Sequence, residues 1–148
     1  MKPYLLDTNV LIALAWPNHV HHRETMEWFQ SKAVSAFRTC PLTQTGFVRI
    51  SSNPSFTPNP PSPREALQLM EEITRMSGHG FFPDDLAAPA ALSEAPALAT
   101  HRQVTDAYLL ALAEAHDSVL ATLDRGIRSL ARRRPERLEI ILAGGATA

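Results

Sequence analysis

The chain has 148 residues, of which 45% are hydrophobic, and a formal charge of −1 from 14 basic and 15 acidic side chains. This length suits one domain over residues 1–148 with one sizeable core. A charge so close to zero excludes a basic field over the whole protein, so any contact with nucleic acid must come from a local patch, and a single cysteine, Cys40, excludes an internal disulfide.

The apolar run near the N-terminus, residues 4–16, is interrupted by Asp7 and Asn9 and followed by Pro17. It is too short to span a bilayer, and its polar residues break the apolar core that a signal peptide needs. We therefore expect a cytoplasmic protein with no membrane contact.

The first half of the chain predicts strands that alternate with helices, because its apolar residues follow strand and helix periods in turn. The expected elements are a strand at 3–6, helices at 8–15 and 20–33, a strand at 33–39, a turn at Pro41 and a helix at 43–52. Five prolines in residues 54–63 then predict one long surface loop, because too little sequence flanks them for two separate cores.

A helix is expected from Pro63 to about Met76. Ser62 is a suitable N-cap, proline is favoured at the first helical position, and Glu65 is placed to complete a capping box. Gly78, with the serine before it, is expected to end this helix.

The second half of the chain continues the alternation of strands and helices. The expectations are a strand at 81–82, no assignment for the Ala- and Pro-rich residues 84–100, a helix at 106–115 capped by Thr105, a strand at 118–123, a basic helix to about Arg134 and a last strand at 138–142. Together the elements predict a mostly parallel central sheet covered on both faces, a three-layer α/β/α sandwich.

Three aspartates are expected to meet at one edge of this sheet. Asp7 and Asp124 each follow a predicted strand, and parallel strands place their carboxyl ends along one edge. Asp106 begins the helix that leads into the strand at 118–123, so the start of that helix lies at the edge where this strand ends. Each aspartate could instead merely cap a helix.

Three neighbouring carboxylates repel each other unless a positive charge compensates them. The chain has only two lysines, Lys2 and Lys32, which are too few for this role, and its arginines are available as an alternative. A divalent cation that prefers oxygen ligands, Mg²⁺ or Mn²⁺, suits three carboxylates better. The spacing therefore favours a metal site, with simple helix capping as the alternative.

Other polar residues flank the expected site. Asn9 and Thr122 each lie two residues from an aspartate and are assigned hydrogen bonds that support the carboxylates, although ordinary turn and strand roles would also explain them. Arg125, Arg128 and, further away, Arg49 are candidate contacts for the phosphates of a nucleic acid, although a basic run is also typical of a solvated helix face.

Four segments together resemble the PIN-domain family, specifically the VapC-type toxins of prokaryotic toxin–antitoxin pairs. They are LLDTNVLIAL at 5–14, CPLTQTGFVRISSNP at 40–54, TDAYLLALA at 105–113 and LATLD at 120–124. The resemblance implies an α/β/α sandwich in which Asp7, Asp106 and Asp124 hold Mg²⁺ or Mn²⁺. It also implies metal-assisted endonucleolytic cleavage of RNA, inhibition by a cognate antitoxin protein, and a homodimer.

The chain departs from the family pattern at one position. Many members have a glutamate in the helix after the second strand, and the matching residue here is Gln44. Its amide can coordinate a metal or hold a water through its carbonyl, but it removes one negative charge. Gln44 also supports the alternative of a non-catalytic PIN-like domain that binds RNA or protein through a weakened metal site.

A phosphoryl-transfer enzyme of the haloacid dehalogenase or receiver type is a further alternative, since it also places an aspartate at the end of a strand. The dehalogenase class requires a second aspartate where this chain has Asn9. Both classes require a lysine on a later strand, and this chain has none there.

Overall fold

Five parallel strands form the central sheet in the computed structural model, which describes residues 1–93, 95 and 98–141. In chain order the strands are β1 (Tyr4–Leu6), β2 (Phe37–Thr39), β3 (His79–Phe81), β4 (Val119–Thr122) and β5 (Leu138–Ile140). They lie in the order β3-β2-β1-β4-β5, and each neighbouring pair is parallel. The strands β2 and β3 lie on one side of β1, and the later strands β4 and β5 lie on its other side. A crevice therefore opens at the carboxyl ends of β1 and β4, where ligands bind in sheets of this kind.

Helices cover both faces of the sheet. They are α1 (Thr8–Ala15), α2 (His22–Trp28), α3 (Pro41–Ser51), α4 (Pro63–Thr74), α5 (Ala88–Leu92) and α6 (Val104–Ala115). Successive residues of a strand point to opposite faces. Leu6 accordingly packs in one core with Val10 and Phe47 of α1 and α3, whereas Leu5 packs in a second core with Leu109 of α6. The predicted three-layer α/β/α sandwich is confirmed.

None of the helices in the described ranges combines the length and apolar character that crossing a lipid bilayer requires.

The helix expected at 20–33 is divided into two segments. The α-helix α2 ends at Trp28, and Phe29–Ala33 continues as a π-helical turn. The N–H of Val34 donates to the carbonyl of Phe29 at 2.9 Å, five residues back, and this wider turn marks a π-helix. The strand expected at 33–39 consequently begins only at Phe37.

The turn expected at Pro41 is wrong, because α3 begins at that residue. Proline is well suited to the first helical position, where its missing N–H is not needed. The side chain of Thr43 accepts from the backbone N–H of Cys40 at 3.1 Å and so closes the start of the helix.

The start of α4 is as predicted, with Ser62 and Glu65 in a reciprocal capping box. The Ser62 N–H donates to the Glu65 carboxylate at 3.0 Å, and the Glu65 N–H donates to the Ser62 hydroxyl at 3.1 Å. The helix ends at Thr74, two residues before the expected end.

Several elements of the second half differ from the sequence expectation. The edge strand β3 lies at His79–Phe81 rather than at 81–82, and the unassigned stretch contains α5. Thr105 is not a cap, because α6 begins at Val104 as a continuation of the 3₁₀ turn His101–Gln103, which is capped by Thr100. The last strand ends at Ile140, and residue 142 of the expected strand lies outside the described residues.

The basic segment after β4 is not an α-helix. Arg125–Ala131 forms a 3₁₀ helix, and a second 3₁₀ turn, Pro135–Arg137, leads into β5.

Candidate active site at the carboxyl edge of the sheet

Asp7 lies at the junction between β1 and α1 and is 7% exposed. One of its carboxylate oxygens accepts from the Thr8 N–H at 2.7 Å, so Asp7 caps α1. Asp124 similarly caps the 3₁₀ helix after β4, accepting from the Gly126 N–H at 2.9 Å. The capping alternative therefore describes part of what these two side chains do. It does not exclude a ligand, because each carboxylate oxygen carries a second lone pair.

The hydroxyl of Thr122 connects the two strand ends. It donates to the second carboxylate oxygen of Asp7 at 2.7 Å and accepts from the backbone N–H of Asp124 at 3.1 Å. Thr122 is the last residue of β4 and is fully buried, so its hydroxyl is held at the crevice between β1 and β4. Asp7 and Asp124, 117 positions apart in the sequence, are thus joined through one hydroxyl.

Asn9 supports the same hydroxyl rather than a carboxylate directly. Its amide nitrogen donates to Thr122 Oγ1 at 3.2 Å, and its carbonyl oxygen accepts from the backbone N–H of Leu123 at 3.2 Å. These bonds fasten the start of α1 to the end of β4.

The three predicted aspartates interact electrostatically. Asp106, in the first turn of α6, has a pKa raised to about 6 by burial and then by the negative charges of Asp7 and Asp124. The pKa of Asp7 is also raised, mainly by burial and partly by Asp124, while its hydrogen bonds from Thr122 and Thr8 act in the opposite direction. The arrangement concentrates negative charge at one point, which is the condition that a bound cation would relieve.

The residues present fit a divalent cation that keeps part of its water shell. In residues 1–93, 95 and 98–141, no three or more His, Cys, Asp or Glu side chains lie close enough together to hold a metal ion by themselves. Mg²⁺ does not require such a cluster, because it retains several waters and binds through a few carboxylates and a substrate phosphate. Oxygen donors without thiolate or imidazole also match Mg²⁺ and Mn²⁺ better than zinc.

Gln44 lies in the first turn of α3, at the carboxyl end of β2. Its amide nitrogen donates to the Thr39 hydroxyl at 2.9 Å, and that hydroxyl also contacts Nε2 of His79 at 2.7 Å. The structure thus ties Gln44 to β2 and β3 and shows no hydrogen bond from it to Asp7, Asp106 or Asp124. Sequence reasoning missed Thr39 and His79; the available signal was a polar residue at the end of β2 for Thr39, and there was none for His79, which begins β3.

The predicted RNA-contacting arginines lie at different distances from the aspartates. Arg125 directly follows Asp124, and Arg128 is exposed in the same 3₁₀ helix. Arg49 is exposed in the last turn of α3, about 12 Å along the helix from its start at the carboxyl edge. RNA contact stays a prediction for all three.

Comparison with known proteins gives one consistent result. Residues 4–133 match the family model of the PIN domain. The chain is 41% identical over 132 residues to Ribonuclease VapC38 of Mycobacterium tuberculosis, and the match covers 89% of this chain and 92% of that protein.

Solved structures show the same fold at low sequence identity. The structure of FitAB bound to an IR36 DNA fragment aligns with a TM-score of 0.62 at 21% identity, covering 87% of this chain and 90% of that one. VapBC2 from Rickettsia felis, bound to a DNA fragment from their promoter, aligns with a TM-score of 0.57 at 10% identity, covering 92% of this chain and 96% of that one.

Proposed function

Because this chain belongs to the PIN-domain family, we propose that it is a metal-dependent endoribonuclease and the toxin of a toxin–antitoxin pair. The observation that carries the proposal is the coupling of Asp7, Asp106 and Asp124, in which burial and then the charges of Asp7 and Asp124 raise the pKa of Asp106 to about 6. An RNA-cleaving activity agrees with the name of the curated relative that shares 41% of its residues over most of the chain.

Asp7, Asp106 and Asp124 are the residues that would hold Mg²⁺ or Mn²⁺. When bound, the cation would neutralise charge on the scissile phosphate and lower the pKa of an attacking water. Thr122 fixes the orientation of Asp7 through its 2.7 Å hydrogen bond, and Asn9 holds Thr122 in turn. Such supports keep carboxylates in place without requiring them to move when charge develops.

Gln44, Arg125, Arg128 and Arg49 complete the proposed site. Gln44 would contribute an amide in place of the glutamate that many relatives carry. Arg125 and Arg128 follow the third aspartate and would bind RNA phosphates, with Arg49 further along α3.

The proposed partners are an RNA substrate, a cognate antitoxin protein and a second copy of this chain. We also propose that residues 1–148 form one PIN-like domain and that the protein is located in the cytoplasm. The solved FitAB and VapBC2 assemblies are the support for a protein partner. The negative charge around Asp106 suits an antitoxin side chain of the opposite sign, an arginine or a lysine.

The test is cleavage of a mixed RNA substrate by the purified protein with Mg²⁺ or Mn²⁺ and after chelation with EDTA. We expect cleavage that stops in EDTA and is lost in Asp7→Asn and in Asp106→Asn, with melting temperatures within a few degrees of the wild type. The loss should exceed about 100-fold, because the two residues would hold the cation that stabilises the transition state.

A matched control is Asp117→Asn, which also exchanges one carboxylate for an amide. Asp117 precedes β4 at the opposite edge of the sheet, and its backbone φ of 52° suits asparagine well. This variant should cleave like the wild type. Cleavage that survives EDTA or persists in Asp7→Asn would overturn the metal mechanism, and no cleavage by the wild type would favour the non-catalytic binding domain.

A further inference from the structure

A chain of hydrogen bonds links Gln44 to the edge strand of the sheet. The amide nitrogen of Gln44 lies 2.9 Å from the Thr39 hydroxyl, and that hydroxyl lies 2.7 Å from Nε2 of His79. Thr39 is fully buried, and the His79 ring packs edge-on against Phe37 with ring centroids 5.5 Å apart. Burial and this ring contact restrict the positions of both side chains.

The direction of these bonds depends on which nitrogen of the His79 ring carries the proton. Nε2 is the nitrogen that faces Thr39, and the proton of a neutral ring can lie on either nitrogen. The Gln44 amide nitrogen is the donor to the Thr39 hydroxyl, which suits a ring whose proton lies on Nδ1. Burial and the charge of Arg38 lower the pKa of His79 and so favour its neutral form.

In a neutral ring with its proton on Nδ1, Nε2 can only accept a hydrogen bond. The Thr39 hydroxyl must then donate its single proton to His79. Its lone pairs are left for Gln44, which can meet them only with its NH₂ group. The carbonyl oxygen of the Gln44 amide is therefore the group turned away from Thr39.

Position in the sheet brings this amide towards the aspartates. Leu5 of β1 is in register with Arg38 of β2, so Thr39 lies beside Leu6, the residue before Asp7. Neighbouring strands are about 4.8 Å apart. Gln44 is thus anchored one strand away from the proposed metal site, at the same level of the sheet.

We propose that Thr39 and His79 are positioning residues that fix the Gln44 amide so that its carbonyl oxygen, rather than its NH₂ group, faces the carboxyl edge of the sheet. This inference rests on the proposed function. A carbonyl oxygen there can accept from the waters of a hard cation or bind the cation itself, whereas an NH₂ group would repel it. Thr39 and His79 would thus orient the neutral Gln44 amide with its negative end, the carbonyl oxygen, towards the site.

The first test concerns the proton on His79 and needs neither RNA nor metal. In wild-type protein with ¹⁵N-labelled histidine, the ring nitrogen shifts at neutral pH should show His79 neutral and protonated at Nδ1. A proton on Nε2 would overturn the inference, because the Thr39 hydroxyl would then accept from His79 and keep its own proton for the Gln44 carbonyl, so that His79 would no longer fix the NH₂ group towards Thr39.

The second test is a Mg²⁺ titration of RNA cleavage. Thr39→Val keeps the side-chain volume but removes the hydroxyl, and it should raise the Mg²⁺ concentration for half-maximal cleavage several-fold, as much as Gln44→Ala does. Combining the two substitutions should raise it no further, because both remove the same oriented carbonyl. Thr39→Ser restores the hydroxyl and should return the midpoint towards the wild-type value.

Thr45→Val is the control, since the Thr45 hydroxyl bonds to the Pro41 carbonyl at 2.7 Å on the exposed side of the same helix. Its midpoint should match that of the wild type. A wild-type midpoint in Thr39→Val or in Gln44→Ala would overturn the inference. If no protein cleaves RNA while His79 carries its proton on Nδ1, the proposed function fails and the orientation of the amide stands.

Discussion

At the scale of single residues, the pKa of Asp106 makes the metal-free protein sensitive to pH. The pKa of this carboxyl rises from 3.8 to about 6 on folding, so its ionised form disfavours the folded state. The penalty is fully present above pH 6 and disappears as the pH falls to about 4. In EDTA, Asp106→Asn should therefore raise the melting temperature at pH 7.5 by a few degrees and have no such effect near pH 4.

Thermal denaturation across this pH range measures the effect, and added Mg²⁺ supplies the contrast. A cation bound by Asp106 should stabilise the wild type at pH 7.5 and stabilise Asp106→Asn much less. A substitution that destabilises the metal-free protein at pH 7.5 would contradict the raised pKa.

Residues near the aspartates also show how far sequence reasoning reaches. Asp7 and Asp124 could be placed because strand ends are visible as changes from apolar to polar residues. The bond between Thr39 and His79 could not, because the two residues are 40 positions apart and meet only through the register of β2 and β3. Sequence patterns report neighbours along one element, not partners across a sheet.

At the scale of elements, Gly78 follows the end of α4, as the sequence predicts, but a glycine is required there for a different physical reason. A glycine after a helix usually adopts a left-handed conformation, but no described glycine in this chain has a positive φ. A Cβ on Gly78 would instead lie 2.0 Å from the backbone carbonyl oxygen of Val34. Gly78 is needed because β3 enters the sheet against the turn that precedes β2.

Gly78→Ala should therefore destabilise the protein by about 2 to 4 kcal/mol, since a backbone carbonyl cannot move aside cheaply. The Gly78 carbonyl accepts from the Phe37 N–H at 3.0 Å, so the clash would also weaken the first bond between β2 and β3. Urea denaturation measures the change, with Ser77→Ala as a control on the exposed neighbouring residue. Equal stability of Gly78→Ala and the wild type would contradict the close approach.

Elements with local signals were predictable, and those decided by packing were not. The capping box of α4 is written in four consecutive residues and was found in the structure as expected. The π-helical turn at Phe29–Ala33 and the 3₁₀ helix at Arg125–Ala131 were not expected. Both lie in connections between two strands, and neither segment carries a local signal, such as a capping box, that identifies its winding.

At the scale of the whole molecule, the layers and the parallel sheet were predicted because alternation of strands and helices leaves few other arrangements. The strand order was not predicted, because sequence patterns do not specify which strands become neighbours. That order is what places Asp7 beside Asp124, since β1 and β4 adjoin in the middle of the sheet.

The proposed toxin activity predicts an effect on growth. Expression of the chain alone in a bacterial host should slow growth, because RNA cleavage without an antitoxin is not restrained. Asp7→Asn should relieve the effect at an equal protein level, and Asp117→Asn should not. Normal growth at high levels of the folded wild-type protein would count against the toxin role.

The pairing of the first strand with a late one has a consequence for biosynthesis. The Thr122 hydroxyl that holds Asp7 lies 115 residues further along the chain, so a ribosome must complete most of the protein before the two can meet. Nascent or prematurely terminated chains that end before β4 lack both Thr122 and Asp124. A cell translating this protein would therefore face cleavage only from nearly full-length copies, which leaves most of the translation time for a partner to be made first.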